Sequence, residues 1–95
     1  MIHQKLEELF TIACDQKRID EIPSYSEFVS LMEEYPIQSW LTEDDYYPNM
    51  LKSFEYVCEN YTTYYELRLA FKHLVRRVLN ISKANNYKIT VDLTQ

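Results

Sequence analysis

Residues 63–86 read TYYELRLAFKHLVRRVLNISKANN, and this stretch decides the fold. Leu67, Ala70, Phe71, Leu74, Val78 and Ile81 recur at intervals of three and four, with Val75 beside them. That is the period of a helix turning one face to a core. Thr63-Tyr64-Tyr65-Glu66 precedes it as a capping box, in which the threonine oxygen accepts an early backbone N–H and the glutamate reaches back. The spacing predicts a helix over 64–84. Asn85-Asn86 can close it in the left-handed conformation that glycine would otherwise supply. Glycine is absent from all 95 residues, which counts against phosphate-cradling loops and tight hairpins.

Upstream, the same reading gives three more helices. Ile2, Leu6, Leu9, Phe10 and Ala13 form one face of a helix over 2–17. Ser24-Tyr25-Ser26-Glu27 is a second capping box, opening a helix over 25–35 that carries Phe28, Leu31, Met32 and Tyr35 and stops at Pro36. IQSWL, residues 37–41, reads as a short turn placing Ile37, Trp40 and Leu41 in the core. Leu51, Phe54, Val57, Cys58 and Tyr61 mark a helix over 44–60, with carboxylates and Pro48 in its first turn, where both are tolerated.

The tail YKITVDL alternates Tyr87, Ile89, Val91 and Leu93 with Lys88, Thr90 and Asp92, which is a strand pattern. No second strand is found to pair with it. The tail over 87–93 is expected to lie extended across the helices, or else to join a second copy as a homodimer. The expected architecture is therefore all-α: one domain over 1–95, a compact four-helix bundle with a short extra helical turn and an extended C-terminal tail.

Charge is distributed unevenly. Residues 1–60 hold 13 acids and 4 bases, net −9, and residues 61–95 hold 2 acids and 6 bases, net +4. Between Asp20 and Asp45 there are eight acids and no base. A field of one sign steers a partner of the opposite sign and disfavours nucleic acid at that surface. Within this run, residues 41–49 read LTEDDYYPN. Tyrosine gives large contact area at small entropic cost, and carboxylates around it favour fast association with a cationic surface. Glu43, Asp44, Asp45, Tyr46 and Tyr47 are the candidate partner-binding residues, with Glu33, Glu34, Tyr25 and Val29 on the preceding helix.

Catalytic and cofactor motifs are not found. His3 and His73 are far apart and read as surface residues, and Glu43, Asp44 and Asp45 lack the spacing of a calcium loop. No enzyme activity, cofactor or metal is expected. Cys14 and Cys58 form no CxxC and read as small buried thiols, with a disulfide or redox pair as the alternative. With no apolar leader or membrane-length run, the cytoplasm is the expected compartment. Arg68, Lys72 and Arg76 recur every four residues, with His73 and Arg77 alongside. This face can pair with the acidic half of the chain, lie in solvent, or touch nucleic-acid phosphates, the last being disfavoured by the acidic whole. Of Tyr64-Tyr65, one ring is expected to cap the core edge while its neighbour lies on the surface.

The tract EDDYYP, residues 43–48, resembles the acid-x-x-Tyr-Tyr-Pro tract of the immunity proteins that protect bacteria from their own nuclease colicins and pyocins. LEELFTIACD and SEFVSLMEE are similar to that family's first two helices. The resemblance implies a small non-enzymatic inhibitor that covers a toxin's nuclease domain. Glu43, Tyr46 and Tyr47 would be its anchors, and Ser24 to Tyr35 its specificity helix, presenting Tyr25, Val29, Met32 and Glu33. The chain departs from that family after Pro48. A phage or plasmid regulator acting as an acidic DNA mimic on host transcription or defence machinery, and a nucleic-acid module using Arg68, Lys72 and Arg76, are the other functions the sequence allows.

Overall fold

The structure is a computed structural model. It describes the backbone of residues 2–60 and 63–94 and the side chains of residues 3–60 and 63–85. Tyr61, and the side chains of Ile2, Tyr87, Ile89, Val91 and Leu93, lie outside the described residues. The chain is all-α, with no strand among the described residues. Its helices are α1 (Ile2–Cys14), α2 (Tyr25–Glu33), α3 (Gln38–Glu43), α4 (Tyr47–Asn60) and α5 (Tyr64–Thr94), with a 3-10 segment at Gln16–Glu21.

Local chemistry sets most of these boundaries. Helix α1 stops at Cys14 rather than continuing to Lys17, because the Asp15 carboxylate accepts the Lys17 N–H at 2.9 Å and turns the chain into the 3-10 segment. Both capping serine and threonine oxygens act as read: Ser24 Oγ accepts the Glu27 N–H and Thr63 Oγ1 accepts the Glu66 N–H, each at 3.2 Å. Helix α2 ends at Glu33, two residues short of Tyr35, since a residue before proline is pushed out of helical backbone. Helix α4 begins at Tyr47 rather than 44, because Asp44 serves as its cap from outside.

The expected extended tail is instead the end of α5, which continues to Thr94. Among the described residues no strand offers a ladder, whereas lengthening an existing helix adds one hydrogen bond per residue with no new nucleus. Asn85 does not turn the chain: no described residue has positive φ, and its Nδ2 donates at 2.9 Å to the Ile81 carbonyl one turn back. A homodimer joined by paired tail strands therefore has no strand to use.

Helix α5 is the spine. Helix α1 runs antiparallel to it: His3 Nε2 lies 2.9 Å from Ser82 Oγ, and Lys83 pairs with Glu7 at 3.0 Å. At the other end, Ala13 and Cys14 lie beside Tyr65, Arg68 and Leu69. Helix α4 also runs antiparallel, with Asn49, Met50 and Ser53 beside Ala70 and His73. Phe28 of α2, Phe54 of α4 and Phe71 of α5 meet at centroid separations of 5.4–5.9 Å, two of the three pairs edge to face. Around them are buried Leu6, Leu9, Ile12, Ala13, Met32, Ile37, Leu41, Leu74, Val75 and Val78. Ile12 takes a core place that the sequence reading gave to Phe10, which is only half-buried.

Candidate functional site

The tract 43–47 does not act as one surface. Asp44 turns inward, and its side chain is 10% exposed. Its Oδ2 accepts the backbone N–H groups of Tyr46 at 3.0 Å and Tyr47 at 2.8 Å, which caps α4. The same oxygen accepts Arg77 Nε at 2.9 Å, and Arg77 Nη2 donates to Oδ1. The guanidinium lies 4.9 Å from the Tyr46 ring centroid, so the ring covers the ion pair from outside.

The Arg77 hydrogen bonds, helped by the two backbone donors and opposed by partial burial, hold the Asp44 carboxyl down to about 2. An unfolded aspartate titrates near 3.9. Below pH ~4 the unfolded chain thus takes up a proton that the native state refuses. This stabilisation is complete above that pH and disappears as pH falls toward 2. It amounts to roughly 2 kcal/mol before screening by the water that reaches the partly exposed Arg77 side of the pair. Asp44→Asn keeps a capping oxygen and loses the charge. Urea titrations should show a stability deficit against wild type at pH 6 that closes as pH approaches 2. A deficit independent of pH would contradict the pairing.

Of the twin rings, Tyr47 is 6% exposed and Tyr46 59%. The expectation of two adjacent anchors is corrected: Tyr47 belongs to the core. It stands four residues before Leu51 and seven before Phe54, on the stripe of α4, whereas Tyr46 is out of phase. Burial pushes the Tyr47 phenol up to about 12. Tyr25 is half-buried, and its hydrogen bond to Glu55 raises its phenol pKa. Val29 and Met32 share a recess of about 150 Å³ with Gln38, Thr42, Tyr47, Pro48 and Leu51. The segments carrying Glu33, Glu34 and Glu43 thereby adjoin.

What remains outward is Glu33, Glu34, Glu43, Asp45 and Tyr46, all exposed. Among the described residues the carboxylates of Glu33, Glu34, Glu43 and Asp45 form no ion pair. Their positions are notable. Glu33 and Glu34 sit at the C-terminal end of α2 and Glu43 ends α3, and neither helix has a base in its last turn. Helix C-termini carry partial negative charge, so carboxylates there oppose the fold.

Arg77 alone of the basic face reaches the acidic tract. Arg68, Lys72 and Arg76 form no ion pair among the described residues. Tyr64 and Tyr65 are both 64% exposed, correcting the expectation that one caps the core; they precede the first core turn of α5 and line a recess with Gln16, Ile19 and Arg68. His3 is a bridge from α1 to α5 rather than a bare surface residue. Both cysteines are free, and Cys14, at the last position of α1, is exposed rather than buried. Among the described residues no group of three or more histidine, cysteine or acidic side chains is placed to hold a metal, and no helix is long and apolar enough to cross a membrane.

No family model matches the chain, and no curated protein or solved structure matches it at a significant level.

Proposed function

We propose that the protein is a non-enzymatic inhibitor, a bacterial immunity protein that neutralises a nuclease toxin by covering its basic substrate-binding surface. The observation that carries this reading is the set of exposed carboxylates Glu33, Glu34 and Glu43 at helix C-termini, with no base in the last turn of either helix and no ion pair among the described residues. Such charges cost stability where they stand, and a cationic partner would relieve them. Asp45 and the exposed ring of Tyr46 extend the surface, and Val29 borders the recess beside it. The carboxylates would stand where substrate phosphates otherwise bind, so the mechanism is occlusion.

The test is co-expression with a toxin encoded by a neighbouring gene. The inhibitor should preserve growth, and Glu33→Lys with Glu34→Lys should abolish protection while the protein remains folded. Growth protection that survives both substitutions would remove the acidic face from the mechanism. Recovery of a host polymerase or defence nuclease, in place of a toxin, would instead support an acidic DNA mimic.

A further inference from the structure

A cleft of about 440 Å³ lies between α3 and α5. One wall is Trp40 and Glu43, three residues apart and so on one face of α3. The other is a face of α5 bearing Arg77, Asn80, Ala84 and Asn85. We propose that this cleft is a socket for an arginine side chain of the basic partner. The inference rests on the reading of the acidic face as a docking surface and deepens it.

The sign of the occupant follows from which charges are already engaged. Arg77 lines the cleft, but Nε and Nη2 are both given to Asp44 and its guanidinium face lies over Tyr46. Asp44 is neutralised in return. Asn85 donates its amide hydrogen to Ile81. Among the described residues, the charge left at the cleft is the Glu43 carboxylate, which is exposed and forms no ion pair with them. Asn80 is exposed and its amide enters no hydrogen bond there.

A negative carboxylate, an indole surface and an amide oxygen are the complement of a planar cation. A guanidinium stacks on indole and presents a fork of donors to a carboxylate, which an ammonium cannot do equally well. Ala84 is small and leaves room along α5 for the aliphatic stem.

Trp40 is the one tryptophan of the chain, so its fluorescence reports the cleft directly. The experiment titrates the intact protein with blocked hexaarginine, hexalysine and hexaglutamate while exciting tryptophan selectively. Hexaarginine should shift the Trp40 emission saturably, more tightly than hexalysine, and hexaglutamate should not. Glu43→Gln should raise the midpoint by about tenfold or more, as loss of a hydrogen bond to a charged group does. Asn80→Lys, which fixes a cation in the cleft, should remove the response, with helicity by circular dichroism unchanged in both variants. No saturable shift with hexaarginine, an unchanged midpoint in Glu43→Gln, or an equal response to hexaglutamate would overturn the socket. A Glu43-dependent response in a protein whose partner binding ignores charge at Glu33 and Glu34 would keep the socket and remove the acidic face of α2. A working face with a silent Trp40 would remove the socket alone.

Discussion

Phe54→Ala is expected to cost about 4 kcal/mol, the range for deleting a fully buried phenylalanine. Phe54 is fully buried and touches both Phe28 and Phe71, so it joins α2 to α4 and α5 at one point. Helix α2 depends on that point, because its packing partner is chiefly α4. A domain of this size has a total stability of only ~5–15 kcal/mol. The loss should appear as a large fall in urea midpoint, with α2 and its carboxylates released from their places. Phe54→Leu fills most of the space and should cost less than about 1.5 kcal/mol. Tyr56, two residues on and exposed, is the control: Tyr56→Ala should stay within ~0.5 kcal/mol. Equal effects at 54 and 56 would mean the aromatic trio is not the centre of the core.

Charge reversal on the acidic face should have the second large effect, and on a different quantity. Glu33→Lys, Glu34→Lys and Glu43→Lys together should weaken partner binding by at least about 100-fold, because like charges then meet across the interface. The same substitutions should not weaken the fold. Each places a cation where the helix end is partially negative, worth ~0.3–1 kcal/mol in the favourable direction. A rise in melting temperature combined with a loss of binding is the signature of charges kept for a partner. A fall in both would show that these carboxylates have structural partners.

The sequence displayed the local part of this architecture clearly. The α5 stripe from Leu67 to Ile81, the two capping oxygens of Ser24 and Thr63 and the stop at Pro36 all depend on neighbours a few residues away. Asp44 with Arg77 did not show, because 33 residues separate them and only the antiparallel meeting of α4 and α5 unites them. The basic face was visible, but which of its members turns inward depends on helix register: Arg77 directly precedes buried Val78, at the border of the stripe. Burial of Tyr47 rather than Tyr46 was readable in principle, by extending the Leu51–Phe54 stripe back one turn. The tail misled because alternation describes side chains only. A strand also needs an edge to pair with, and α5 was already nucleated upstream.

On the proposed function, Glu33, Glu34 and Glu43 serve a partner and not the fold. The most direct measurement is calorimetric binding of the proposed partner, a basic nuclease domain, to wild type and to the triple lysine variant, with the melting temperature of each free protein taken on the same samples. Affinity should be lower by about two orders of magnitude or more in the variant, with a melting temperature at or above that of wild type. Undiminished affinity, or a variant that melts earlier, would contradict it.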